Sequence, residues 1–318
     1  MDAVDGIRLD RVVTAVDFHE SSRAAALWVM RHFAPAARHE LVHVVDLPEL
    51  PAPLRGLGAD REELRLAARE GAQRRLDELA ALGEGARVGT HVREGRPARE
   101  IVHLADELGA DIVVVGQQGP THGVRVLLGS TAERVLFRSP IPVLVARKVG
   151  GAPPRRLFAA VDPSDVADDV LAWTRALIEH FGATATLLSV VDRVLLADEL
   201  TGLPTAEMLQ RLVDEATPAM RSWLEAAIDR TGLERSAVEA TVRVGDPTHE
   251  IIAGAARDGA QLLLLGSKGG DVARTTLIGR ILNKVVRAAP CSVLVVTSGS
   301  GGGLQRTNRG EVSSDAEP

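Results

Sequence analysis

Residues Gly95–Gly119 read GRPAREIVHLADELGADIVVVGQQG, and residues Gly245–Gly269 read GDPTHEIIAGAARDGAQLLLLGSKG. At a constant offset of 150 positions the two stretches share Gly95/Gly245, Pro97/Pro247, Glu100/Glu250, Ile101/Ile251, Ala105/Ala255, Gly109/Gly259, Gly116/Gly266 and Gly119/Gly269. Each passes through a segment with helical spacing of apolar residues into an unbroken aliphatic run, DIVVV or QLLLL, and then into glycine. Such a run is the mark of a strand buried on both faces, and the spacing before it marks a helix. The register continues through Gly129/Gly279, Val135/Val285, Pro140/Pro290 and the strands at Val143 and Val293. Upstream, RVVTAVD ending at Asp17 matches RLFAAVD ending at Asp162, and LVHVVD from Leu41 matches LLSVVD from Leu187. The chain is a duplicated domain.

Within the first half, strands are expected at about 11–17, 39–46, 87–93, 111–116 and 141–147, with helical patterns between them. Aliphatic strands alternating with helices predict a parallel sheet covered on both faces, with right-handed crossovers. The expected fold is therefore α/β: two tandem Rossmann-like, doubly wound domains, each on a five-stranded parallel sheet. Domain 1 is expected over 1–148, a linker over 149–155, domain 2 over 156–298, and a disordered Gly/Ser-rich tail over 299–318.

Composition narrows the function. Hydrophobic residues make up 45% and charged residues 25% of 318 positions, a soluble globular balance. A net charge of −6 argues against a nucleic-acid surface, which needs a basic excess. Aromatics are only 3% with no tyrosine, which disfavours base-stacking platforms. The single cysteine, Cys291, fits a reducing compartment. No apolar run approaches the ~18 residues of a membrane span, and the opening MDAVDGIRLD lacks a signal-peptide core. A cytoplasmic protein with no membrane partner is expected.

The stretch GQQGPTHGVRVLLGST, Gly116 to Thr131, leaves DIVVV, crosses a glycine-rich loop and resumes order at Gly129-Ser130-Thr131. In open doubly wound sheets, ligands bind beyond the carboxyl ends of the strands where the strand order reverses. A helix starting near Ser130 would offer free backbone N–H groups and a positive dipole end there, both suited to phosphate. Gly116, Gly119 and Gly129 would let the backbone approach oxygens with no Cβ between, and Ser130 and Thr131 add hydroxyl donors. Glycine spacing alone is a weak signal. Its recurrence in both halves, after a strand and with an Asp closing the first strand, makes it specific.

These residues resemble the universal stress protein family. Its nucleotide-binding members carry Gly-x-x-Gly, nine residues, then Gly-Ser/Thr before the last helix, here Gly116, Gly119, Gly129 and Ser130, with Asp17 closing the first strand. The resemblance covers nearly the whole chain apart from the tail and implies a tandem member with an adenine nucleotide α-hydrolase-like sheet. It implies ATP, or ADP or AMP, as ligand, with or without Mg2+. By that likeness Ala15, Asp17 and Val44 line the adenosine end, Gly116 lies near the ribose, and Gly119, Gly129, Ser130 and Thr131 meet the phosphates. The family often has Pro where Ala15 stands. It also implies that PVLVAR from Pro142 and SVLVVT from Ser292 pair edge to edge as an intrachain pseudo-dimer, hiding two sheet edges. Whether two chains then form a homodimer is open.

The second half keeps Gly266, Gly269 and Gly279, with Asp162 and Val190 matching Asp17 and Val44. Arg280, however, follows Gly279 where a hydroxyl residue is expected. A cation at a helix N-terminus opposes the dipole by ~0.3–1 kcal/mol, and a lost Ser cap costs about 1 kcal/mol. Either Arg280 folds onto a phosphate, or this possible second site is altered. Asp17 also has two readings, ligand contact or an acceptor capping the helix at Ser21–Ser22. His122 and Arg125 read as loop residues, His43 and His103 as ordinary strand and helix histidines, and Cys291 as packing. No Cys/His cluster has metal-ligand spacing. With no Walker lysine and no Ser/His/Asp set, a nucleotide-dependent regulator with an unknown protein partner is expected, hydrolysing slowly if at all. The rival is a nucleotide-free interaction module.

Overall fold

The computed structural model describes residues 9–46, 61–117, 128–147, 149–193, 205–267 and 275–300. The first half runs β1 (Arg11–Ala15), α1 (Glu20–Trp28), a π turn (Val29–Phe33), β2 (Arg38–Val45), α2 (Arg61–Ala81), β3 (Arg87–Glu94), α3 (Pro97–Glu107), β4 (Ile112–Gly116), α4 (Ser130–Arg138) and β5 (Val143–Ala146). The second half runs β6 (Arg156–Ala160), α5 (Ala167–Phe181), β7 (Thr184–Val191), α6 (Ala206–Thr231), a 3-10 turn (Arg235–Ala237), β8 (Val238–Val244), α7 (Pro247–Arg257), β9 (Leu262–Gly266), α8 (Thr275–Ala288) and β10 (Ser292–Val296). All five strands expected in the first half form, within two or three residues of the expected bounds. The tail from 301 onward lies outside the described residues.

One sheet of ten strands carries the order β3-β2-β1-β4-β5-β10-β9-β6-β7-β8. Every pairing within a half is parallel. The seam is antiparallel, with Val293 opposite Val145, Leu294 opposite Leu144 and Val295 opposite Val143. The terminal strands of the halves do pair within one chain, as the family resemblance implied.

Alternation along buried strands distributes side chains to both layers. Val12, Ile112 and Val114 join Ala25, Trp28 and Phe33 on the α1 side, while Val13, Val113 and Val115 join Ile101, Leu104 and Val135 on the α3 and α4 side. Leu41 packs with Leu76 and Leu79 under α2. Both large clusters continue into the second half through β5 and β10, so the core crosses the seam. The Phe33 and Phe181 rings lie 5.7 Å apart, and His180 Nε2 bonds the Phe33 carbonyl at 3.1 Å. The Trp28 indole donates to the Ala152 carbonyl at 3.1 Å, fixing the linker against α1.

A charged residue also sits inside this apolar architecture. Glu40 on β2 is buried, and its carboxylate accepts from Arg38 Nε at 2.6 Å and faces His91 Nε2 at 2.8 Å. Burial alone would raise its pKa, but the hydrogen bonds from His91 and Arg38 and their charges outweigh it and hold the pKa low. Its neighbour His39 is fully buried with Nε2 on the Ala34 carbonyl at 3.1 Å, and desolvation lowers its pKa.

Candidate functional site

The strand order places β1 between β2 and β4, so the chain leaves β1 toward one edge and returns to build the other. The crevice between the carboxyl ends of β1 and β4 is the reversal point where such sheets take ligands. Ala15 ends β1, Gly116 ends β4, and Val44 is the penultimate residue of β2. Ala15 and Gly116 pair with neighbouring strands at this end, Ala15 with Val42 and Val115, Gly116 with Ala146.

Beyond β1 the backbone turns sharply. Val16 N–H still donates to the Val42 carbonyl at 2.8 Å, and Asp17 then turns out to solvent. Asp17 Oδ1 accepts from the Ser22 hydroxyl at 2.5 Å and from His19 N–H at 3.0 Å. Ser22, buried, also donates to the His19 carbonyl at 3.1 Å. One carboxylate oxygen therefore ties down the loop that leads into α1, whose own start has no side-chain cap bond. No described residue donates to the other.

Phe18 has φ of 64°, a left-handed conformation that is costly for a bulky residue. Its ring lies 4.5 Å from the His43 ring, with the Arg75 guanidinium carbon 4.0 Å over its face. His43 Nδ1 meets the Val16 carbonyl at 2.7 Å, which requires the proton on that nitrogen. The sequence offered no sign of this column at the crevice rim. His103, by contrast, lies exposed on α3 beside Glu107 at 3.0 Å.

Gly116 is glycine for a reason the sequence reading missed. A Cβ there would stand 2.7 Å from Ser22 Cα and 2.8 Å from Ser22 N. The start of α1 presses directly on the end of β4, whether or not a ligand approaches. Gln117 follows, buried, its N–H on the Ala146 carbonyl at 3.0 Å and its side-chain Nε2 buried with no partner among the described residues. An amide after a strand-ending glycine was its only sequence signal. Gly119, His122 and Arg125 lie outside the described residues. The described chain continues from Leu128, and α4 begins at Ser130 with Gly129 as N-cap and no side-chain cap bond. Ser130 is exposed and Thr131 half-buried in that first turn.

In the second half Asp162 Oδ1 accepts from Ser164 Oγ at 2.6 Å, and Val190 is half-buried on β7. Gly266 ends β9, where a Cβ would stand 2.3 Å from Val166 Cγ1. Ser189 Oγ donates to the Val161 carbonyl at 2.8 Å, the place His43 holds in the first half. Gly269 lies outside the described residues. The expected helix start at Arg280 is corrected: α8 begins at Thr275, which puts Gly279 and Arg280 inside the helix. The helix runs through Gly279 at a cost of about 1 kcal/mol relative to alanine. The predicted conflict between Arg280 and a helix dipole therefore does not arise, and the two cradles differ in backbone as well as sequence.

Fold and crevice together define a class, a tandem α/β protein built on two doubly wound halves with a reversal-point cleft in each. The chain belongs to the universal stress protein family, whose model matches residues 8–147 and again 154–297. Membership supports a role in the stress response. The chain is 29% identical over 242 residues to universal stress protein Rv2319c of Mycobacterium tuberculosis, covering 74% of this chain and 80% of that one. It is 38% identical over 111 residues to universal stress protein MJ0531 of Methanocaldococcus jannaschii, 34% of this chain and 63% of that relative. A crystal structure of a universal stress protein from Archaeoglobus fulgidus superimposes with a TM-score of 0.64 at 22% identity, covering 92% of this chain and 98% of that one. That likeness shows the fold. Among the described residues no helix is long and apolar enough to cross a membrane.

Proposed function

We propose that the first half binds an adenine nucleotide, ATP foremost, and that occupancy changes the surface offered to a protein partner. The observation carrying this reading is the buried Gln117 amide, directly after Gly116, a donor that has no partner among the described residues, together with the uncapped start of α4. Unpaired buried donors are costly and call for an acceptor, and the backbone N–H groups of a helix start suit a phosphate. A polyanionic ligand supplies acceptors to both.

In this reading Ala15, Asp17 and Val44 line the adenosine, Gly116 lies by the ribose, and Gly119, Gly129, Ser130 and Thr131 hold the phosphates. Asp17 keeps one carboxylate oxygen for Ser22 and His19 and turns the other to the ribose or, through water, to Mg2+. The chain supplies binding and orientation. Hydrolysis, where it occurs, is slow and incidental. The second half, with Asp162, Val190, Gly266, Gly269, Gly279 and Arg280, is an altered partner whose first role is to complete the sheet. Domain limits of 1–148 and 156–298 around a 149–155 linker suit this division.

A ligand present at a hundred times its Kd adds about 2.7 kcal/mol to stability. Thermal unfolding with millimolar ATP, ADP and AMP therefore tests the reading directly. A midpoint that rises with ATP supports it, and a midpoint unmoved by all three overturns it.

A further inference from the structure

The seam between the halves has a pseudo-twofold axis. Leu144 opposes Leu294, and these positions are equivalent in the duplicated sequence. Each contact near the axis can therefore be compared with its mirror. Glu133 and Asn283 are also equivalent, and they meet: Asn283 Nδ2 donates to Glu133 Oε1 at 2.6 Å. Arg287 Nη2 donates to Glu133 Oε2 at 2.8 Å, whereas its equivalent in the first half is Phe137, an exposed ring. Arg147, just past β5, is buried and donates to the Val286 carbonyl at 2.6 Å, to Arg287 at 3.4 Å and to Ala289, capping the end of α8. Its equivalent Thr297 has a buried hydroxyl with no partner among the described residues. Ser292 Oγ accepts from Arg147 N–H and donates to the Arg147 carbonyl, both at 2.9 Å. Its equivalent is Pro142, which has no hydroxyl.

We propose that this seam is a heterotypic recognition surface, in which the face of the first half fits the second half and rejects a second copy of itself. A two-fold pairing of identical faces sets each axial residue against its own copy. First half on first half would oppose Glu133 to Glu133 with no Arg287 to neutralise either, and would leave Arg147 N–H without the Ser292 hydroxyl. Second half on second half would give both Arg287 side chains no carboxylate and leave the end of α8 uncapped by Arg147. Each half thus carries what the other lacks, so specificity comes from penalising the wrong pairing as well as rewarding the right one. The duplicated chain commits its β5 and β10 edges to each other and leaves β3 and β8 as the outer strands.

The test uses the full chain with a cleavable sequence in place of Gly150–Gly151, where a Cβ meets nothing within 4 Å. Cleaved protein is incubated with an isotope-labelled copy and examined by native mass spectrometry. The expected result is exchange among one-to-one pairs of first and second halves, at least about tenfold over same-half pairs, the factor that 1.4 kcal/mol sets. Asn283→Glu should weaken the pairing about tenfold. Adding Glu133→Asn inverts the pair, keeps a carboxylate one turn from Arg287, and should restore it. Same-half dimers in comparable amount, halves that part as monomers, or an Asn283→Glu protein that pairs as the parent does would overturn the proposal. So would a loss that Glu133→Asn fails to restore, because the effect would then be structural damage.

Discussion

Gly116→Ala tests the packing on which the candidate site depends. The new Cβ would lie 2.7 and 2.8 Å from Ser22 Cα and N and 3.0 Å from the Ser21 carbonyl carbon, where ordinary contact starts at 3.4 Å. All three are main-chain atoms of α1, and Ser22 is tied down by bonds to Asp17 and His19. No side chain can swing aside, so α1 must retreat by roughly 0.7 Å or β4 must bend. Overpacking of this kind costs about 1–3 kcal/mol, partly offset by the ~0.4–1 kcal/mol that alanine removes from the entropy of the unfolded chain. A net loss of about 1–2 kcal/mol corresponds to a midpoint lower by roughly 2–8 °C in a chain of this size. Gly266→Ala provides the contrast, because its obstacle is the Val166 side chain at 2.3 Å. Val166→Ala should rescue Gly266→Ala, whereas no side-chain truncation should rescue Gly116→Ala. Gly150→Ala, with nothing within 4 Å, should stay within about 0.5 kcal/mol of the parent. Urea unfolding followed by far-UV circular dichroism reads all four. A Gly116→Ala protein as stable as the parent would refute the close approach of α1 to β4.

Acid should destabilise the protein in two stages. His39 is buried neutral and its folded pKa is depressed by desolvation, so its contribution is lost as pH falls below the ordinary 6.5; His39→Phe should flatten the upper part of a stability–pH curve. Glu40, held ionised by His91 and Arg38, contributes above the ordinary 4.5 and loses that contribution as pH falls through its lowered folded value. Glu40→Gln should lower stability by about 1–3 kcal/mol at neutral pH and remove the lower stage; parallel curves would contradict the assignment. Asp17→Asn separates the two readings of that residue: a loop cap alone predicts about 1 kcal/mol of lost stability with ATP affinity unchanged. We expect the stability loss together with an affinity loss of about tenfold or more by calorimetry.

The doubled sheet was legible because it rests on long-range order already written along the chain. Aliphatic runs such as DIVVV and QLLLL at a constant offset leave few other folds, and Pro97 and Pro247 mark helix starts at equivalent places. What escaped the sequence depends on groups that meet only in three dimensions. Glu40 in RHELVHVV looks like a solvated charge, and it is buried because His91 reaches it from β3, 51 positions on. The left-handed Phe18 is fixed by His43 and Arg75, neither of them near it in sequence. The early start of α8, at Thr275, runs the helix across Gly279, which a match to a glycine motif does not foresee. Gly116 is held to glycine by the backbone of α1, a contact that no spacing along the chain records. Gln117, beside it, is hard to read from the sequence, because an amide carries no charge or spacing signature.

Calorimetric titration of the intact chain with ATP, beside Gly129→Val and Gly279→Val, tests the central claim most directly. Gly129 has φ −61° and ψ 146°, which valine can adopt, so that variant changes the approach to the helix start without straining the backbone. The account predicts a single site per chain, abolished by Gly129→Val and retained by Gly279→Val. Absence of binding by any adenine nucleotide, or a Gly129→Val protein that binds as the parent does, would contradict it.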